Sequence, residues 1–298
     1  MNVNTKLYDS LVQPVIDYGA SIWGTKEYKC IQAVQHRACR FFMGLGKYTP
    51  NVGIIGDMGW TLPMQRHWIC VTRQWCRLIN MDNARINKRV FEWSIDKSCH
   101  RVKNWSYRVS DFFKKLQMNH LLNIANSFDT HMVLSDMSSV LSEYYESDWY
   151  NRLMRVNSSS GQGQNKLRTY RKFKLEIKSE EYLKIYNKKH RSAIAKFRCG
   201  VAPIRLETGR YEHLEVSERI CPVCHLEVEN EEHVVRCPAY SNIRSELFNY
   251  ACDMNSVFND LDDEQKLSFI LSNCDICRIS AKTCYEILQQ RRILLYHT

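Results

Sequence analysis

The sequence predicts a mainly α-helical protein, in which a helical bundle is followed by a flexible linker, a basic helical arm, a small Cys-Cys-His-Cys module and C-terminal helices. Apolar residues recur every three or four positions through most of the chain, which is the spacing of one helix face. No segment alternates apolar and polar residues strongly enough to require a β-sheet, although short hairpin strands beside the cysteines remain open. With 298 residues and 44% hydrophobic content, the chain is long enough for two or three compact units with their own cores.

Residues 1–125 are predicted to form a first helical region, because apolar residues occur at helical spacing in three stretches. These residues are Leu7, Leu11, Val12 and Val15, then Ile31, Val34, Ala38 and Phe42, and then Trp68, Val71, Trp75 and Leu78. We expect Cys39, Cys70 and Cys76, which fall within the helical patterns, to be core residues. Amphipathic helices are predicted at 104–118 and 137–156, and the second lies in a connecting segment, 126–156.

A run of serine, glycine, glutamine and asparagine at 157–166 predicts a flexible linker and is the best candidate for a domain boundary. The basic arm follows at 167–210 and the cysteine-containing module at 211–240. The last segment, 241–298, contains apolar periodicity that predicts three helices. Their expected ranges are 241–254, 263–272 and 276–295.

The net charge of +10 is concentrated in one segment, since residues 151–210 carry sixteen lysines and arginines against four acidic residues. The next segment, 211–240, reverses the sign, with seven glutamates against two arginines. We predict a continuous helix over 182–199 with one basic face, formed by Lys184, Lys188, Arg191 and Arg198. Upstream, cations alternate with aromatic residues, namely Lys166, Arg168, Arg171, Lys172 and Lys174 beside Tyr170 and Phe173.

This combination of cations and aromatic rings suits a nucleic acid, whose phosphates attract the cations and whose bases stack on the rings. The sequence therefore predicts a nucleic-acid-binding arm with little sequence specificity. A solvated helix face that only keeps the protein soluble remains the alternative.

Four residues have the spacing of a single zinc site, Cys221, Cys224, His233 and Cys237, in the order C-x2-C-x8-H-x3-C. A two-residue gap lets both thiolates of a tight turn face one ion, and a spacing of four places His233 and Cys237 on one side of a helical turn. Glu231 and Glu232 suit the first turn of that helix. Four protein ligands leave no position for water, so the predicted zinc is structural. Unrelated buried thiols, or His225 as a competing ligand, remain alternatives.

Cys274 and Cys277 form a second C-x2-C pair, with Cys252 and Cys284 as available partners. Whether they bind a second metal ion or are ordinary buried thiols stays open. The thirteen cysteines are scattered and odd in number, which favours a reducing, intracellular location, either nuclear or cytoplasmic. No apolar run approaches the roughly 20 residues of a membrane span, so no membrane partner is expected.

Two blocks of the sequence resemble a known family. The segments 11–24, 31–37 and 49–59 look like the region just after the polymerase palm in non-LTR retrotransposon (LINE-type) reverse transcriptases. The segments 166–174 and 190–211, together with the four metal ligands, resemble the carboxy-terminal zinc-binding region of the same polyproteins. The marked regions cover more than half of the chain.

The resemblance implies that residues 1–125 form a thumb and that the C-terminal part grips single-stranded RNA or target DNA. It implies the same four zinc ligands, and it places Lys196, Arg198, Arg205 and Arg210 in the family's basic block. The remainder of the reverse transcriptase polyprotein is a further expected partner. The preference between RNA and DNA and the oligomeric state stay open.

The family is an RNA-directed DNA polymerase, but its catalytic carboxylates have no counterpart in this sequence. Polymerisation needs an aromatic-x-Asp-Asp motif and a third carboxylate to hold two magnesium ions, and the nearest acidic run, 260–264, lacks the aromatic residue. We therefore expect a C-terminal fragment that does not polymerise DNA alone. A zinc-scaffolded protein-interaction module and an inert transposon relic are the alternative functions.

Overall fold

The computed structural model describes residues 3–99, 102–123, 127–155 and 166–296, and over these residues the protein is mainly helical, as predicted. The described residues contain no β-strand, and next to the cysteines they form a single antiparallel bridge between Ile220 and Val228. None of the described helices is long and apolar enough to cross a membrane.

The α-helices, in chain order, are α1 Val3–Leu7, α2 Gln13–Asp17, α3 Ala20–Trp23, α4 Lys29–Met43, α5 Asn51–Met58, α6 Pro63–Ile79, α7 Ile86–Cys99, α8 Trp105–Lys115, α9 Thr130–Met154, α10 Tyr170–Phe173, α11 Lys188–Arg198, α12 Arg205–Thr208, α13 Glu231–Arg236, α14 Ser241–Met254, α15 Asp263–Ser272 and α16 Cys277–Tyr296. A π-helical turn covers Tyr8–Val12. Short 3₁₀ turns cover Asn119–Leu122, Glu181–Lys184, Val216–Glu218, Pro238–Tyr240 and Phe258–Asp260.

The chain divides into two compact units. The first unit comprises Met1–Gln35 and Thr61–Asp148, and the second comprises His36–Trp60 and Trp149–Thr298. The sequence grouped 36–60 with the first 125 residues, whereas the contacts of this segment belong to the second unit. Of the predicted linker, 157–165 lies outside the described residues.

The first unit is built around α6. Trp68, Val71 and Trp75, which the sequence placed on one helical face, are buried there together with Leu78. The Trp75 indole donates a hydrogen bond to the carbonyl of Leu121 at 2.9 Å, so its polar edge is satisfied within an apolar core. Pro63 begins the helix, where its fixed φ suits the first turn and its missing N–H costs nothing.

The second unit contains every residue of the candidate site, and its core lies between α11 and the C-terminal helices. The observed bounds of α14 and α15 agree with the predicted ranges, and α16 begins one residue later than expected. The Asp262 carboxylate starts α15, since it accepts a hydrogen bond from the Gln265 N–H at 2.7 Å. This cap gives the acidic run 260–264 a local structural role.

The prediction of one continuous helix over 182–199 is wrong. A 3₁₀ turn ends at Lys184, and α11 begins only at Lys188, where the Asn187 side chain accepts a hydrogen bond from the Lys189 N–H at 2.9 Å. Lys184 is therefore not on the same helix as Arg191. The helix ends at Arg198, just before Gly200 adopts a left-handed φ of +60°.

Candidate metal centre and nucleic-acid interface

The four predicted ligands converge on one point. The ligand atoms of Cys221, Cys224, His233 and Cys237 all lie within 4.8 Å of one another. Cys221 follows the bridge between Ile220 and Val228, and its backbone N–H donates to the Glu227 carbonyl at 2.7 Å. The turn that carries the two cysteines closes when the His225 N–H donates to the Cys221 carbonyl at 3.0 Å.

His225 occupies the turn position at which a left-handed backbone is required, with a φ of +57°. Its side chain is exposed, and it is not a member of the ligand group. The backbone of this residue therefore shapes the cysteine turn, while its imidazole does not join the four ligands.

The third ligand, His233, is oriented by two hydrogen bonds. The Asn230 side chain caps α13 by accepting from the His233 N–H at 2.6 Å. The His233 Nδ1 lies 2.8 Å from a Glu227 carboxylate oxygen, and Nε2 lies 3.4 Å from the Cys224 sulfur. Since a carboxylate can only accept, Nδ1 carries the proton and Nε2 is the atom available to a metal ion.

Glu227 is held in place by more than the histidine. The Arg236 Nε donates to Glu227 at 2.9 Å, and the same guanidinium reaches Asp263 of α15 at 2.7 Å. The hydrogen bond from His233, followed by the one from Arg236, keeps the pKa of the Glu227 carboxyl below its ordinary value. The carboxylate therefore remains charged and fixes the tautomer of His233.

The chemistry of this group fits a divalent cation. Burial raises the pKa of the Cys237 thiol to about 12, so without an ion the thiol keeps its proton at neutral pH. A bound cation displaces such protons and offsets the cost of burying thiolate charge. Within the described ranges this is the one such ligand group, and Cys274 and Cys277 do not belong to it.

The metal-ligand segment, 221–237, is bound to the last helix by a buried ion pair. The Glu229 side chain is buried, and Arg291 of α16 donates two hydrogen bonds to its carboxylate, both at 2.7 Å. Such a bidentate pair fixes orientation as well as distance. α16 therefore forms a rigid support for the cysteine turn.

Three of the predicted nucleic-acid contacts are buried. Lys174, Arg191 and Arg198 are 4%, 7% and 1% exposed, respectively. Arg198 makes a bidentate ion pair with Asp57, at 2.9 and 2.7 Å, and its guanidinium lies over the Phe173 ring. These side chains therefore face the interior of the second unit and do not form a surface for phosphates.

Other predicted contacts are paired with acidic residues of the second unit. Arg168 bonds to both Glu207 and Glu231, and Lys172 lies 2.6 Å from Glu264. The remaining interactions of this set are Lys166 with the Tyr48 carbonyl, Arg171 with the Leu167 carbonyl, Lys184 with Glu181, and Arg210 with Glu207. The opposite charges of 151–210 and 211–240 thus pair with each other in part, which reduces the basic surface.

The other three predicted contacts, Lys188, Lys196 and Arg205, line an open cleft of about 1220 Å³. Its walls come from α11, from the C-terminal half of α16 and from the segment 203–225. The cleft also contains three cations that the sequence did not single out, Lys189, Arg291 and Arg292. In sequence, the only signal for Arg292 is its place in a pair of arginines near the end of the predicted last helix.

The cleft is strongly basic, with six lysines and arginines against two glutamates. Arg205 donates a hydrogen bond to the Glu212 carboxylate at 2.7 Å, and Arg291 donates to the Glu229 carboxylate. Lys188, Lys189, Lys196 and Arg292 make no ion pair within the part of the chain that the structure describes, although the Lys188 ammonium lies over the Phe41 ring. They leave a localised positive charge next to the metal-ligand segment.

The comparisons with protein-family models, with curated proteins and with solved structures found no match for this chain. The metal-ligand group and the basic cleft are therefore the features of this chain that bear on its function.

Proposed function

We propose that this chain is a zinc-stabilised nucleic-acid-binding protein that corresponds to the carboxy-terminal region of a LINE-type reverse transcriptase. The observation that carries the proposal is the open basic cleft beside the four-ligand group. The sequence resemblance supplies the family, and the cleft supplies a place where a phosphate backbone would bind.

Electrostatics favours a polyanion as the ligand of the cleft. Lys189, Lys196 and Arg292 line one continuous concave surface, which attracts successive phosphates more strongly than isolated surface charges do. The cleft's volume also exceeds what a single small anion would fill. Contacts of this kind bind nucleic acid without reading its sequence.

Zinc is the proposed ion because three thiolates and one imidazole in a closed set are typical of its structural sites. Pro222 and His225, which belong to the cysteine turn, also line the cleft. The ion would therefore stabilise one wall of the cleft and take no part in a reaction. With no aromatic-x-Asp-Asp motif in its sequence, the chain is proposed to bind and not to polymerise.

The test is equilibrium binding of zinc-loaded protein to a labelled oligonucleotide over a salt series. The variant Lys189→Gln/Lys196→Gln/Arg292→Gln removes three of the four cleft cations that make no ion pair and leaves Lys188, which lies over the Phe41 ring. Its slope of log K against log salt should be shallower than that of the wild type by about 2, because each lost phosphate contact removes about 0.7.

The matched control is Lys26→Gln/Lys103→Gln/Arg278→Gln, which removes the same charge from exposed positions outside the cleft. The control should keep nearly the wild-type slope. If the slope fell equally in both triple variants, binding would depend on the total positive charge of the protein and not on the cleft. Absence of binding at low salt would refute the proposal and would favour a protein partner.

A further inference from the structure

One face of α16 offers the cleft an aromatic ring beside a cation. Tyr285, Leu288, Arg292 and Leu295 are spaced by three, four and three residues, and all of them line the cleft. This spacing places them on the same side of a helix. The cleft therefore has an apolar strip next to its cationic groups, as surfaces that bind unpaired bases do.

The Tyr285 ring is held in a fixed position. It is half-buried and packs against the core of the second unit, and its centroid lies 5.2 Å from that of the His190 imidazole. A ring held by core packing loses little conformational freedom when a base stacks on it. An aromatic ring in the lining of a basic cleft suits stacking with a base.

The wall formed by the segment 203–225 has a different charge. Glu212 is neutralised by Arg205, but the Glu218 carboxylate accepts only a backbone N–H, that of Glu215 at 2.9 Å, among the described interactions. Among the described residues no cation pairs with the Glu218 carboxylate, which lines the cleft. A duplex carries a second phosphate backbone, which such a wall repels, while a single strand can follow the basic side alone.

We infer that the cleft selects single-stranded nucleic acid, with Tyr285 as a base-stacking residue and Glu218 as the group that disfavours a duplex. This inference rests on the proposed function and adds the residues of the cleft that would favour a single strand over a duplex. Lys189 and Lys196 of α11 and Arg292 of α16 would contact the phosphate backbone of the strand. Tyr285, Leu288 and Leu295 of α16 would contact its bases.

The experiment compares three labelled ligands of equal length on zinc-loaded full-length protein: a single strand, the same strand with abasic sites, and its duplex. Stacking on one ring raises affinity about tenfold, so the abasic strand should bind about tenfold more weakly than the intact strand. Tyr285→Leu keeps an apolar side chain against the core and should lower the affinity only for the intact strand. Tyr285→Phe keeps a ring, so its affinity for the intact strand should fall less. Tyr250→Ala, which removes an exposed ring of α14, is the matched control.

Glu218→Gln tests the other half of the inference, since it should increase the affinity for the duplex more than the affinity for the strand. Equal binding of strand, abasic strand and duplex would overturn the inference while leaving the proposed function intact. No binding of any ligand at low salt would overturn both. The abasic comparison uses wild-type protein, so it decides the matter even if a Tyr285 variant misfolds.

Discussion

The ion pair between the Asp57 and Arg198 side chains shows that a cation of the basic arm, 167–210, stabilises the interior of the second unit. Both side chains are buried, and the carboxylate also accepts hydrogen bonds from the Tyr170 and Tyr182 hydroxyls at 2.9 and 2.7 Å. Burial alone would raise the pKa of Asp57, but the Arg198 guanidinium, together with Lys174 and the Tyr182 hydroxyl, holds that pKa below its ordinary value. A carboxyl of this kind stabilises the fold above its unfolded pKa of about 3.9, and that contribution is lost as the pH falls through the folded pKa.

Arg198→Met is expected to reduce the free energy of unfolding by about 3–5 kcal/mol at neutral pH, because it leaves the buried Asp57 carboxylate without its cation. Without Arg198, burial places the pKa of Asp57 above its unfolded value, so protonation relieves the strain at acidic pH. The deficit should therefore be larger near pH 7 than near pH 5, as measured by urea unfolding at both pH values.

The double variant Asp57→Asn/Arg198→Met is the control for this effect. It removes both charges, so it should recover part of the lost stability and should lose the pH dependence of the single variant. A single variant whose deficit is the same at both pH values would contradict the assignment.

The residues of the site differ in how well the sequence predicted them, and the reason is distance along the chain. The four metal ligands lie within seventeen positions, 221–237, so the spacing of turn and helix is enough to bring them together. Arg198 was predicted as a surface contact because its partner Asp57 is 141 positions away. Periodicity along one helix contains no information on such a partner.

At the element scale, capping residues decide where the functional helices begin. Asn187 starts α11 and thereby sets the register of Lys188 and Lys189 at the cleft. The bounds of α15 were predictable because its cap and the reciprocal Gln265 bond are local in sequence. The break before α11 was not anticipated, because the cations on both sides of Asn187 fit a single helical face.

Asn187→Ala should destabilise the protein by about 1 kcal/mol, since the first turn of α11 loses the acceptor for its N–H groups. Thermal unfolding measures this change. Asn249→Ala, an exposed asparagine inside α14, is the control and should be near neutral or slightly stabilising. If the two variants unfold alike, Asn187 is not a working cap.

The Glu227 carboxylate fixes the ring orientation in which α13 would present His233 to a metal ion. Glu227→Gln is expected to weaken metal affinity by about 10–100-fold, because the neutral amide can still accept from Nδ1 but no longer supplies the negative charge that supports the ligand. Competition with a chromophoric chelator measures the affinity. Glu143→Gln, at an exposed position of α9, is the matched control, and a similar loss there would contradict the role of Glu227.

At the scale of the whole molecule, the two units have separate hydrophobic cores. The aromatic core around α6 consists of residues of the first unit, and the core around α11 and α16 consists of residues of the second. The helical class of both was readable from apolar periodicity. The assignment of 36–60 to the second unit was not, because it depends on long-range contacts such as the bonds of Asp57 to Tyr170 and Arg198.

Removal of the metal ion should therefore change the second unit and leave the core of the first unit intact. Hydrogen exchange should lose protection first at α13 and the cysteine turn, where three ligands are fully buried and the thiols must regain protons. The loss should extend to the end of α16, because Arg291 is bonded to Glu229 of the same segment. Amides of α6 should exchange at an unchanged rate after chelation, and added zinc should restore the others. Equal loss of protection in α6 would show that the ion stabilises both cores together, and no change in α13 would show that the four-ligand group holds no metal.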